Sequence, residues 1–249
     1  MSKKYRNPPI VEALCEFRFN PSDEWDLTVP GLVYEKIRDN FPKRRQAKAY
    51  ELNTVIGPEG VEQRTVTTDR MQFLHEDEKA LIQVDRHLLA VNRLKPYSGW
   101  DEFLPLIRQG SSAYIEEAKP KGIQRIGLRY INRIEIPGQD VRLEDYLEFR
   151  PFVGSGLSQG HKSFIVGIQI PYESSKDTLR LQLANVATGT HAASIAMILD
   201  LDYSLAQPDS VSLDNVFEWM EVAHNHVEEA FEACISERLR QLFEEAVEE

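Results

Sequence analysis

Alternating stretches of strand and helix periodicity predict an α+β fold made of two similar halves. Each half runs strand, helix, antiparallel meander, long helix, and the last of these is a long C-terminal amphipathic helix. Three observations carry this. Ile10–Phe19 and Ile123–Ile136 alternate apolar and polar residues with the period of a half-buried strand. Tyr50–Leu94 shows strand-like runs without a helical period, and Leu213–Leu242 carries an apolar stripe every three or four residues.

In the first half, Val11, Ala13, Cys15, Phe17 and Phe19 alternate with Glu12, Leu14, Glu16 and Arg18. Pro30 then opens a helix to about Asn40, with Leu32, Val33 and Ile37 at helical spacing, and Pro42 ends it. Strand-like segments follow near 50–56, 62–68, 70–75, 79–85 and 87–94, punctuated by Gly57-Pro58-Glu59-Gly60. Ser98 is the expected cap of a helix carrying Trp100, Phe103, Ile107 and Tyr114, with Pro105 expected to kink it or to mark a later start.

The second half repeats the order: a strand at 123–136, a short helix at 142–149, strands at 163–171, 178–186 and 195–202, and a final helix from Asp209 or Ser212 onward. A continuous helix of about 34 residues would span roughly 50 Å, so part of its stripe is expected to project and bury itself in a partner. The halves, 1–120 and 121–249, are expected to pack as one unit.

The chain of 249 residues is 42% hydrophobic and 28% charged, enough to bury a large core. No apolar run reaches the ~18 residues of a membrane span, and the N-terminus has no apolar signal region, so a cytoplasmic protein is expected. Two cysteines, Cys15 and Cys234, both sit at apolar positions, as reduced thiols do. Of the net charge of −11, the stretch from Asp200 onward holds fourteen acidic and two basic residues, leaving the remainder near neutral. Such an acidic end repels a phosphate backbone.

The motifs of chemistry are thin. His224 and His226 point about 200° apart on a helix and cannot share an ion, and His224 with Glu228 lacks a third ligand, so no metal is expected. Gly156-Leu157-Ser158-Gln159-Gly160 has the letters of a nucleophile elbow, but a loop leads in and a strand follows, which reads as a connector. No glycine-rich phosphate loop occurs and no cofactor is expected. The reading is therefore of a protein without an enzyme site, although a dispersed one around His161, His191 and Tyr130 stays open.

Two basic features stand out. Lys43, Arg44 and Arg45 follow the first helix and read as a turn that could meet an anion. Arg125, Arg129 and Arg133 share one face of a strand, opposite Ile126, Leu128, Tyr130, Ile134 and Ile136. Like charges along a strand need carboxylate partners or an anionic ligand, and the two alternatives remain open here.

Tyr5-Arg6-Asn7-Pro8-Pro9-Ile10-Val11-Glu12-Ala13, the segment Arg93–Phe103 (RLKPYSGWDEF) and Arg129-Tyr130-Ile131-Asn132-Arg133-Ile134 resemble the hallmarks of a sporadically distributed bacterial and archaeal family of unknown function. Trp219, His224 and Phe231 match its C-terminal pattern. The resemblance implies horizontally moved genes, as in phage-defence, CRISPR-accessory or toxin–antitoxin loci, and carries over no catalytic residue. The expected function is thus a non-enzymatic accessory or regulatory protein that binds a protein partner, or a second copy of itself, through the acidic C-terminal region with Glu221, His224, Glu228 and Glu232. The alternative is a nucleic-acid or anion-binding module using the Arg125, Arg129 and Arg133 strand together with Lys43, Arg44 and Arg45.

Overall fold

The computed structural model describes residues 4–57, 60–138, 140–186 and 194–244, and for 49–57 and 60–67 only the course of the backbone. Nine strands form one antiparallel sheet: β1 (Ile10–Asn20), β2 (Lys43–Gly57), β3 (Gly60–Leu74), β4 (Ala80–Val84), β5 (Leu88–Leu94), β6 (Gly122–Pro137), β7 (Ile165–Tyr172), β8 (Asp177–Val186) and β9 (Ser194–Leu205). Their order across the sheet is β2-β3-β4-β5-β1-β6-β9-β8-β7. Four α-helices are described: α1 (Val29–Ile37), α2 (Trp100–Ala118), α3 (Val216–Cys234) and α4 (Glu237–Phe243).

This corrects the expectation of two similar halves. The strands are shared in one sheet, and β1 and β6, the first strand of each supposed half, are hydrogen-bonded neighbours at its middle. Nor does the second half carry the short helix expected at 142–149. Only a three-residue 3-10 turn at Leu143–Asp145 forms there, because Leu147 is drawn into a bridge with Ile235.

The long C-terminal helix is also corrected. α3 stops at Cys234, and Ile235 turns extended, with φ −117° and ψ 148°. Ser236 then caps α4, accepting from the Leu239 N–H, while its hydroxyl donates to the Asp145 carbonyl at 2.7 Å. The chain folds back on itself instead of projecting: Arg6 and Asn7 donate their N–H groups to the carbonyls of Glu244 and Phe243. Tyr5 sits edge-on to Phe231 and Phe243.

Two local expectations change as well. Lys43, Arg44 and Arg45 begin the edge strand β2 rather than forming a turn, and alternation sends Arg44 over the Tyr34 ring at 5.1 Å while Arg45 reaches Gln72 on the other face. Gly99, with φ of 107°, sits at the N-cap of α2 in place of Ser98, whose hydroxyl accepts from Arg93; the helix runs from Trp100 through Pro105. β2 and β3 form one 15-residue-by-15-residue hairpin closed by the pair Gly57 and Gly60; Pro58 and Glu59 lie outside the described residues.

Alternation sorts every central strand into two faces. One face presents Ala13, Cys15, Phe17 and Phe19 of β1, Leu128, Tyr130, Ile134 and Ile136 of β6, and Met197, Leu199, Leu201 and Tyr203 of β9, all buried. These pack with the apolar sides of α1, α2 and α3, including Val33, Ile37, Phe103, Ile107, Met220 and Val227. Both cysteines are buried free thiols, and burial pushes Cys234 up to about 11 and Cys15 higher still.

The helix layer lies close to the sheet at one position. A Cβ on Gly110 of α2 would stand 3.1 Å from Ile82 Cδ1 and 3.2 Å from Val91 Cγ2. Gly110→Leu is therefore expected to cost about 1–3 kcal/mol by overpacking, read as a lower urea midpoint. An unchanged midpoint would show that α2 can lift from the sheet freely.

Candidate functional site

On the second face of the sheet, the central strands carry a charged lattice. Arg129 on β6 grips Asp200 on β9 with two bonds, Nε to Oδ1 and a terminal nitrogen to Oδ2, each 2.7 Å. Arg180 on β8 donates to the same Asp200 Oδ2 at 3.1 Å. Arg125 donates to both oxygens of Asp202, at 2.9 and 3.1 Å, and to Glu16 of β1 at 3.3 Å, and Glu16 also accepts from Arg18 at 3.0 Å. Asp200 is only 3% exposed, and its bidentate bond holds the Arg129 guanidinium above its ordinary pKa.

Gly127 lets the lattice close: a Cβ there would stand 2.6–3.0 Å from the Arg125 guanidinium, which lies along the strand over it. The depression around Leu14, Glu16, Arg18, Arg125, Gly127, Arg129 and Asp202 holds about 280 Å³. It falls just short of the usual range for organic ligands, and its charges already answer one another. Arg133 pairs with Glu135 at 2.8 Å on the exposed margin.

The polar face continues across the other half of the sheet as a ladder. Arg45 Nε donates to Gln72 Oε1 (2.8 Å), Gln72 to Gln83 (2.9 Å), Gln83 to Asn92 (3.0 Å) and Asn92 to Glu12 (2.6 Å). Lys43 meets Glu78 at 2.7 Å.

On the helix side, the residues expected to meet a partner are engaged within the chain. His224 stacks on Trp100, with centroids 4.3 Å apart, and its Nδ1 lies 3.2 Å from the Tyr130 hydroxyl, which in turn lies 3.1 Å from that of Tyr97. Burial lowers the His224 pKa to about 4 and raises those of Tyr130 and Tyr97. Glu228 lies 3.3 Å from His224 Nε2, Glu221 accepts from the Trp100 indole at 3.0 Å, and Glu232 accepts from Tyr5 and Arg240. The structure thus uses Glu221, His224, Glu228 and Glu232 to tie α3 to α2, β6, the N-terminal segment and α4.

The Ser158 hydroxyl accepts from the Gly160 N–H, and neither ring nitrogen of His161 has a hydrogen-bond partner, so the two form no activated pair. Tyr130 belongs to the His224 cluster, and His191 lies outside the described residues. Among the described residues no group of three or more His, Cys, Asp or Glu side chains could hold a metal ion, and no helix is long and apolar enough to cross a membrane.

Sequence reading missed one surface altogether. β7 is an edge strand, paired only with β8 among the described strands, and Ile165–Ile170 contains no charged residue. Nine large hydrophobic side chains are exposed among the described residues, and five of them fall between Phe152 and Ile168: Phe152 (75%), Val153, Leu157, Ile165 (75%) and Ile168 (43%). The signal was the uncharged run Phe164-Ile165-Val166-Gly167-Ile168, which reads as a buried strand until its place at the sheet edge is known.

Comparison with models of known protein families gives no match, and comparison with characterised proteins gives none either.

Proposed function

We propose that the protein is a non-enzymatic interaction protein, an accessory or regulatory factor that captures a protein partner along the β7 edge. One observation carries this reading: among the described residues, exposed apolar side chains concentrate on and just before an uncharged edge strand whose outer side pairs with no described strand. Monomeric proteins guard such edges with charge, proline or a cover, because the free N–H and C=O groups invite another strand. Here the only such guard within the strand is Pro171, near its end. An extended apolar segment of a partner would pair with the backbone of β7 and bury Ile165 and Ile168. The resemblance to a patchily distributed family supports an accessory role in a defence locus.

The arginines are assigned a structural part in this reading. Arg125, Arg129 and Arg180 share the carboxylates of Glu16, Asp200 and Asp202, which leaves the face near neutrality and disfavours a phosphate backbone as its ligand.

The test is Ile165→Lys. The side chain is largely exposed, so stability is expected to stay within about 0.5 kcal/mol of the parent. The partner recovered by affinity purification from the native host, or the second copy seen by light scattering, is expected to be lost. A variant that keeps the same partner, or a parent chain that is a clean monomer with no partner, overturns the reading.

A further inference from the structure

We infer that the partner of the β7 edge is a second copy of the chain, docked antiparallel so that the two sheets join about a two-fold axis at Gly167. The inference rests on the edge reading above and gives that edge its occupant.

The phase of the backbone fixes which groups are free. The Asn185 N–H donates to the Phe164 carbonyl at 3.4 Å, and the Ala206 N–H donates to the Lys176 carbonyl at 2.8 Å. In a register that sets Ile165 against Ala184 and Asp177 against Leu205, both bonds turn the even-numbered residues of β7 toward β8. Ile165, Gly167 and Gln169 therefore point their N–H and C=O groups away from β8, and among the described residues these groups have no hydrogen-bond partner. Pro171 belongs to the same set, where its missing N–H costs the β7–β8 ladder nothing.

This row is complementary to itself. Across a two-fold at Gly167, that residue faces Gly167 of the second copy and Ile165 faces its Gln169, each pair exchanging both N–H···O bonds. Pro171 falls beyond the paired stretch, and no side chain stands on the axis. The residues between form the closer, non-hydrogen-bonded pairs, in which Val166 meets Ile168 of the second copy and Phe164 meets its Ile170. Val166, Ile168 and Ile170 lie opposite the buried Leu183, Leu181 and Leu179, so these apolar pairs extend the core face of the sheet from one copy to the next. Ile168, 43% exposed in the single chain, is covered by this pairing.

Charge selects a second copy over an unrelated segment. The chain carries a net −11, yet Ser163–Pro171 holds no charged residue to repel its own kind. Opposite signs bracket the stretch: Lys162 precedes it and Glu173 follows it, both exposed, and among the described residues neither has an ion-pair partner. Antiparallel docking brings Lys162 of each copy to the Glu173 end of the other, which answers both charges at once. Parallel docking would set like against like. A two-fold supplies this match by symmetry, whereas an unrelated segment would need the reverse bracket of its own.

The test uses the full chain in sedimentation velocity over a concentration series, where a reversible dimer is expected. Lys162→Glu and Glu173→Lys, each at an exposed position, are each expected to weaken the dimer about tenfold at low salt, because two attractive contacts become repulsive. The double swap Lys162→Glu with Glu173→Lys is expected to restore it. Gly167→Cys reports the register: a Cβ there would meet only the Leu181 carbonyl oxygen at 3.6 Å and Gln182 Cγ at 3.9 Å, ordinary contacts. Facing residues of a hydrogen-bonded pair stand about 5.5 Å apart at Cα, within disulfide range. Mild oxidation with diamide is therefore expected to link two Gly167→Cys chains, while Leu27→Cys, 95% exposed but outside the edge, links far less; the native Cys15 and Cys234 are buried. A chain monomeric at every concentration, a dimer that the double swap fails to restore, or a Gly167→Cys chain that links no better than Leu27→Cys overturns the inference. If the chain is monomeric yet a different protein from the host is lost on Ile165→Lys, the edge reading stands and only the second copy falls; a monomer with no partner overturns both.

Discussion

Asp200→Asn is expected to destabilise the protein by about 3 kcal/mol, the low end of what breaking a buried ion pair costs. The carboxylate is 3% exposed and serves two guanidiniums at once, Arg129 through two 2.7 Å bonds and Arg180 through one of 3.1 Å. An amide of the same shape turns a donor toward one of them and removes the charge that both were placed around. The arginines are about a third exposed and can draw water, which holds the cost below the upper end of the range. Urea unfolding should show a lower midpoint with an unchanged slope. Arg133→Gln, which breaks only the exposed pair with Glu135, should cost under about 1 kcal/mol. Equal losses in the two variants would show that the lattice is solvated throughout and that burial of Asp200 counts for nothing.

Mild acid should weaken the fold through His224. Its folded pKa of about 4 lies below the ordinary value of 6.5, because burial on Trp100 and Tyr130 penalises the charged ring. The unfolded chain therefore binds the proton first. The contribution is whole above pH 6.5 and is lost as pH falls toward 4, up to about 3 kcal/mol at 1.36 kcal/mol per pH unit. Of the groups facing the ring, Tyr97 and Tyr130 stay neutral throughout this window, while Asp101 and Glu228, the latter 3.3 Å from Nε2, favour the proton and make that figure an upper bound. Asp23, Asp26, Asp77, Glu78 and Glu144 have lowered values, so what they contribute is lost at lower pH than the contribution of His224. The measurement is the urea midpoint at pH 7 and pH 4.5 for the parent and for His224→Phe, which keeps the stack on Trp100. The variant's curve should be flatter; an equal slope in both would remove His224 from the account.

What could be read in the sequence was whatever repeats locally. The two faces of β6 followed from alternation alone, with Arg125, Arg129 and Arg133 opposite Leu128, Tyr130 and Ile134, and the structure keeps that division. What could not be read is set by contacts between distant residues. Ile235 continues the helical stripe and Leu239 and Leu242 carry it on, yet the helix ends at Cys234 because Ile235 bridges Leu147 and Ser236 bonds to Asp145, about ninety residues earlier. Asp200 and Asp202 were counted into an acidic tail; only the register that sets Arg129 opposite Asp202, with Asp200 across from Ile131 on the neighbouring strand, makes them partners of the arginine strand. The neighbourhood of β1 and β6 could not be read either, since nothing local says that two strands more than a hundred residues apart share hydrogen bonds. Nor does an uncharged run such as Ile165–Ile170 reveal from its letters whether it lies at the centre or the edge of a sheet.

The side-chain ladder from Arg45 to Glu12 has a sense of direction. A guanidinium can only donate and an ionised carboxylate can only accept, so the amides of Gln72, Gln83 and Asn92 between them must all point the same way, oxygen toward Arg45 and nitrogen toward Glu12. Their dipoles add, like compass needles between two poles. A reversal at one end alone would set two like poles facing each other, and no rotation of the three amides could then satisfy every link. Reversing both ends would let the whole row turn over together. Five strands are thus coupled on their polar face by orientation as well as by contact, and the identity of residue 45 constrains what residue 12 can be although four strand-to-strand steps separate them.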